Sequence, residues 1–294
     1  MVKKRRPNLK PTNSKLRIAP LGEYSLANHR KLPKLPINYP AAVSRSTFLL
    51  IIAALLAAHA QAAQVTIIDQ FSTLQTNTSY NSSTSNTIAV TPGSAVGNFR
   101  TMTLTSVGNE INDEQSTLRI QTNAAGGGPR MVLSSGNDVS ATYEIKWGGA
   151  GGTNGLGGID FRGGISQGNF SLTNSTLNFS LYTADLVSPF TWTFTDTSNV
   201  SAVYSSLFPS NPPSTNTVPV PYNISLASFA NATSINWSAI DLIVLSGGGT
   251  NSLDLTLTAP ISLTAVPEPQ TWALVATGLG LATLVFRRKA SRPN

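Results

Sequence analysis

From Val139 to Trp147 every second residue is apolar: Val139, Ala141, Tyr143, Ile145 and Trp147 alternate with Ser, Thr, Glu and Lys. The same period of two runs through Leu177, Phe179 and Leu181, through Phe190, Trp192 and Phe194, and through Leu253, Leu255 and Leu257. Successive side chains of an extended chain point to opposite faces, so this pattern describes strands with one buried face and one in water. Further strand candidates are 65–71, 100–105, 118–122, 130–134, 200–204, 222–226 and 240–245, separated by Gly, Pro, Asn and Ser. No stretch between residues 64 and 265 carries a helical period. About ten short strands at such spacing, rich in Thr and Val, predict an all-β fold. The expected architecture is an antiparallel β-sandwich of jelly-roll type, filling 64–265 as one domain.

Two stretches inside this domain have biased composition. Thr76–Thr87 is almost wholly Asn, Ser and Thr, and Phe208–Pro221 carries five prolines. Both read as surface loops. Gly148–Gly158 is a third, with seven glycines. It has no Lys and no following helix, so it is not a phosphate loop. It reads as a connection between a strand ending at Trp147 and one starting near Ile159, or as the lip of a binding face.

The chain has no Cys, and its two histidines, His29 and His59, precede the domain. A Ser-His-Asp triad, a Cys-His pair and ordinary zinc sites are thereby excluded from 64–265. Glycoside hydrolysis by two carboxylates is the enzymatic alternative, with Asp113, Glu114, Asp138, Glu144, Asp160 and Asp185 as its pool. No pair among them stands out, so no catalytic residue is assigned and the protein is expected not to be an enzyme. No cofactor or metal is expected. A structural calcium ion on Asn137-Asp138, Asp113-Glu114 or Asp160 is the alternative. Trp147, Trp192 and Trp237 could stack on sugar rings, but alternation places each equally well in the core. Thr191, Thr193, Thr195 and Thr197 share one face of one strand, as do Thr101, Thr103 and Thr105. A flat Thr array can order water, yet Thr is also a preferred residue on a strand's wet face.

Of 20 Lys and Arg, eleven lie in residues 1–47 and four in 287–294. Five remain between 48 and 286, against twelve of the 13 acidic residues, so the body is acidic, near −7. Nucleic acid binding needs clustered cations and is excluded as a function. Residues 1–44 are a proline-rich basic extension without apolar periodicity and are expected to be disordered. They are either an unusually long leader or the product of a start assigned too early, with translation beginning near Val43. Residues 45–63 form an export signal: Arg45, an apolar run from Phe48 to Ala58, and the small residues Ala60 and Ala62 spaced for signal peptidase.

Residues 266–294 are the more specific end. Val266, Pro267, Glu268 and Pro269 precede an uncharged stretch, 270–286, and then Arg287, Arg288 and Lys289. As a helix this stretch is about 26 Å long, slightly short of a bilayer core. Trp272 at one edge and the basic stop at the other make up the difference, with the basic cluster cytoplasmic. The two prolines hold the approach extended, in the form a processing enzyme can thread. Val266–Pro269, Leu274, Gly278, Leu279, Leu281 and the Arg287–Lys289 stop resemble the PEP-CTERM sorting signal. That resemblance implies recognition and cleavage by an exosortase, a membrane-embedded cysteine protease. It implies a Gram-negative bacterium, transient anchoring in the inner membrane, and release or transfer to the cell surface, often beside exopolysaccharide and biofilm production. Asp69–Phe71, Gly97–Arg100, 147–158 and 240–264 also resemble β-sandwich cargo carried by such tails. The expected function is therefore that of a surface or matrix protein, structural or glycan-binding, with polysaccharide as partner. The alternative for the tail is a plain C-terminal membrane anchor.

Overall fold

A computed structural model describes residues 62–108, 115–124, 128–149, 155–210, 218–268, and Gly278 and Gly280. Ala60, Asp113, Glu114, Pro269 and the Arg287–Lys289 stop lie outside these residues, as do the apolar runs at both ends of the chain. Among the described residues no helix is long and apolar enough to cross a membrane.

The chain forms β1 (Gln64–Asp69), β2 (Gln75–Ser79), β3 (Ser83–Ala89), β4 (Phe99–Val107), β5 (Ser116–Ala124), β6 (Gly128–Ser134) and β7 (Ser140–Trp147). It continues through β8 (Thr176–Ala184), β9 (Ser188–Asp196), β10 (Ser201–Phe208), β11 (Val220–Ser225), β12 (Ile240–Asn251) and β13 (Asp254–Ala265). One sheet runs β11-β8-β13-β6-β5-β2, with β1 added beside β13. The other runs β10-β9-β12-β7-β4-β3. Every pairing between these strands is antiparallel. The fold is thus all-β, a sandwich of two sheets.

The alternation seen in the sequence is what closes it. Tyr143, Ile145 and Trp147 of β7, and Phe190, Trp192 and Phe194 of β9, point inward and are buried. Leu177, Phe179 and Leu181 of β8 meet them from the other sheet. The Phe179 ring lies 5.7 Å from Trp192 and 6.0 Å from Phe190, so the sheets touch through aromatic contacts. Trp147 and Trp192 stack at 5.8 Å and 13° across the intervening β12. Such offset pairs add about 0.5–1.5 kcal/mol each beyond the area they bury.

Three expectations need correction. Thr76–Thr87 is not a loop: it holds most of β2 and β3, joined by a tight turn that changes sheets. Its inward residues are polar, so no hydrophobic period marks it. Gln75, Asn77 and Ser79 are buried, and their side chains bond backbone instead: Gln75 Nε2 to Asn86 O at 2.8 Å, Asn77 Nδ2 to Met102 O, and Ser79 Oγ to Ser82 O at 2.6 Å. A buried polar group is tolerated when it is bonded in this way. The stretch Phe208–Pro221 overlaps strands at both ends, because Phe208 belongs to β10 and Val220 and Pro221 to β11. Ile159 starts no strand: it makes an isolated bridge to Ile240.

A buried ion pair ties the sheets together at one end. Arg100, inward on β4, donates to Asp69 Oδ2 at 2.8 Å, to Gln75 Oε1 at 2.8 Å and to Thr73 O at 2.6 Å. Trp147 Nε1 and the Phe71 amide also donate to the Asp69 carboxylate, at 2.8 and 2.7 Å. Three of the segments that carried the cargo resemblance, Asp69–Phe71, Gly97–Arg100 and the stretch from Trp147, meet here.

Candidate functional site: a hydroxyl-lined groove

The residues that alternate outward from β9, β12, β7 and β4 form the floor of an open groove of about 500 Å³. That volume falls within the range of ligand sites. The register builds its central rank. Ser205, Thr191, Ser246, Glu144, Thr103 and Ser85 stand opposite one another across all six strands. Neighbouring strands lie roughly 4.8 Å apart, so the rank extends about 24 Å. On one side of it run Gly248, Thr142, Thr105 and Ser83. On the other run Val203, Thr193, Val244, Lys146, Thr101 and Thr87.

The hydroxyls at the two sides of the sheet satisfy one another. Thr191 pairs with Ser205 at 2.9 Å and Thr195 with Ser201 at 2.8 Å. Ser85 pairs with Thr103 at 3.0 Å, Thr87 with Thr101 at 2.7 Å, and Thr105 with Ser83 at 2.9 Å. These cross-strand pairs hold the rims in one geometry. Between them lie Ser246, Thr142 and the charged pair: Lys146 Nζ meets Glu144 Oε1 at 2.8 Å, with both side chains about one-third exposed.

The hollow itself comes from β12. Gly247 and Gly248 leave a gap in the face beside Pro189 and Thr142. Gly248 has φ +93°, and a Cβ there would lie 2.2 Å from Ala141 O. Only glycine lets β12 come this close to β7. Beneath the groove the Tyr143 hydroxyl is buried and has no hydrogen-bond partner among the described residues. Burial pushes its pKa well above that of an ordinary phenol.

The sequence-derived sites are distributed as follows. Trp147 and Trp192 are fully buried, and Trp237 is 4% exposed. Trp147 and Trp192 stack on each other, Phe179 and Phe194 pack against Trp192, and Phe194 and Phe229 against Trp237, so all three are core and none is open to a sugar ring. Of the six carboxylates, Glu144 is the one among the described residues that lines the groove. Asp160 instead accepts the Arg162 and Gly164 amides, and Asp185 accepts the Asp254 amide. Asp138 occupies a left-handed turn position, φ +61°. Among the described residues no three His, Asp or Glu side chains gather as metal ligands. Ala62 is exposed, just ahead of β1.

The sorting motif leaves β13 extended and docked. The Val266 amide donates to Ser175 Oγ at 2.9 Å, and Val266 O accepts from the Ser171 amide at 3.0 Å. Pro267 bridges Phe170, and the Glu268 amide donates to Asn169 O at 2.6 Å. The motif's first three residues thus continue the sandwich.

No family model and no curated protein matches the chain. Among solved structures it is similar to the family 11 carbohydrate-binding module of the cellulosomal cellulase Lic26A-Cel5E of Clostridium thermocellum. There the identity is 11%, the match covers 69% of this chain and 95% of that one, and the TM-score is 0.35. The family 30 carbohydrate-binding module of the cellulosomal cellulase Cel9D-Cel44B of the same organism gives 14%, 53%, 84% and 0.34 in the same order. An exo-β-agarase gives 11% and 0.33, with 56% of this chain matching only 24% of that enzyme. All these TM-scores are below 0.5, so the groove's chemistry is read from its own residues.

Proposed function

We propose that this is an exported, non-enzymatic protein of the cell surface or extracellular matrix. Its sandwich holds a polysaccharide in the groove of the six-stranded sheet, and its C-terminal tail is recognised and cut by an exosortase. The observation that carries the binding reading is the central rank of five hydroxyls and one carboxylate across six strands, of which Thr191, Ser246, Glu144 and Thr103 line the open groove. Hydroxyls both donate and accept, as sugar hydroxyls do, so such a floor can match a carbohydrate without a large apolar patch. Retaining or inverting glycoside hydrolysis requires two carboxylates flanking the bond. The groove's described lining supplies Glu144, which supports binding over turnover. The sorting part of the proposal is supported by the order of Val266–Pro269, the apolar stretch and the basic stop.

Two measurements test the proposal. A glycan array probed with the exported protein should show binding to at least one polysaccharide, including that of the producing cell. Binding to none would leave a structural role. Mass spectrometry of the mature C-terminus should find residues 270–294 missing. A mature protein that retains them would be a plain anchored protein.

A further inference from the structure

We infer that the polysaccharide held in this groove is an uncharged one, and that the Glu144–Lys146 pair enforces the choice. The inference rests on the glycan-binding reading and narrows it to one ligand class. Across the three ranks that form the face, Glu144 and Lys146 are the charged side chains, and they neutralise each other at 2.8 Å. Every other polar group in those ranks is a Ser or Thr hydroxyl.

A polyanion laid along this floor would give up hydration without meeting an uncompensated cation. It would also approach a body that is acidic overall, near −7 between residues 48 and 286. A polycation would be drawn by that distant charge but would meet Lys146 beside the groove and would have to displace it from Glu144. An uncharged polymer pays neither cost. Its hydroxyls can exchange bonds with water for bonds to Ser246, Thr142 and the outer lone pairs of Glu144. A bond to an ionised acceptor is worth more than one between neutral groups. The pair therefore acts in two ways: Glu144 offers a charge-assisted acceptor, and Lys146 keeps it from presenting net charge.

The test uses the exported protein against four immobilised polymers: hydroxyethyl cellulose and galactomannan as uncharged probes, alginate as polyanion and chitosan as polycation. Binding to an uncharged probe that does not change with added salt is expected, because no screened attraction drives it. Ser246→Arg, which fills the trough with a cation, should abolish that binding. Glu144→Gln should weaken it about tenfold and, by freeing Lys146, should create salt-sensitive binding to alginate. Urea unfolding of each variant, matched to the parent, separates loss of the site from loss of the fold, and the near-isosteric Glu144→Gln keeps the test alive if Ser246→Arg unfolds. Preferential, salt-sensitive binding of alginate or chitosan by the parent would overturn the inference and leave the glycan reading standing. Unchanged selectivity in Glu144→Gln would show that the pair does not enforce the choice. Binding of none of the polymers, nor of any arrayed glycan, would overturn the glycan reading itself.

Discussion

Replacing Arg100 by Met tests the claim that one buried ion pair fastens the two sheets. Arg100 is completely buried, and its guanidinium serves Asp69, Gln75 and Thr73. Methionine fills much of the same space but donates nothing. Asp69 would keep its bonds from Trp147 Nε1 and the Phe71 amide, yet its charge would be buried without a counter-charge. Removing one partner of a buried pair costs about 3–5 kcal/mol. Gln75 Oε1 and Thr73 O lose a donor as well, at about 1 kcal/mol each if neither reaches water. A total of about 5–7 kcal/mol is a large share of a typical domain stability of roughly 5–15 kcal/mol. At this domain size it corresponds to a fall in Tm of roughly 10–28 °C. Urea unfolding followed by circular dichroism and Trp fluorescence should show the lowered midpoint with an unchanged slope. The double variant Asp69→Leu, Arg100→Met should be destabilised by about 1–3 kcal/mol less than the two single changes added together, because it leaves no orphan charge. An Arg100→Met protein within about 1 kcal/mol of the parent would refute the reasoning.

Three smaller perturbations probe the groove and its surroundings. Tyr143→Phe removes a buried hydroxyl that lacks a partner, and the urea midpoint should rise by the equivalent of about 1 kcal/mol; a clear fall would mean that the hydroxyl is bonded. Gly248→Ala forces a Cβ against Ala141 O at a left-handed position and should cost at least about 2 kcal/mol while abolishing glycan binding, whereas unchanged stability would show that β12 can shift. Burial would raise the Asp196 pKa, but the Asn236, Val200 and Ser198 amides that its carboxylate accepts more than offset this, so the pKa is lowered. A carboxylate depressed on folding stabilises above its unfolded value, about 3.9, and that stability is lost as pH falls through the folded value. The stability gap between the parent and Asp196→Asn should therefore be widest near neutrality and should close in acid, as urea midpoints across pH would show; a gap independent of pH would contradict this.

Much of the sandwich could be read before any coordinates. Tyr143, Ile145 and Trp147, or Phe190, Trp192 and Phe194, declare their strand and its buried face locally, because a period of two is a property of one extended chain. The same local pattern allowed the three tryptophans to be core, where the structure places them. β2 was invisible for the converse reason: Gln75 and Asn77 are buried, each made acceptable by a backbone carbonyl on another strand, and Ser79 is satisfied by the Ser82 carbonyl and the Ser106 hydroxyl. No local period records such a bond. The inward Arg100 likewise makes sense only beside Asp69, 31 residues earlier in the chain.

The groove follows the same division. Threonines on one face of β4 and on one face of β9 were evident from sequence. That those two faces belong to one sheet, separated by β12 and β7, depends on strand order. Ser246 and Thr142 drew no notice alone, since a single outward hydroxyl is ordinary on any strand. Alternation fixes which way each side chain points, whereas register and order fix what stands next to it, and these arise from pairings between residues far apart in the chain. A face of hydroxyls with one neutralised charge pair is a property of that assembly and of no single segment within it.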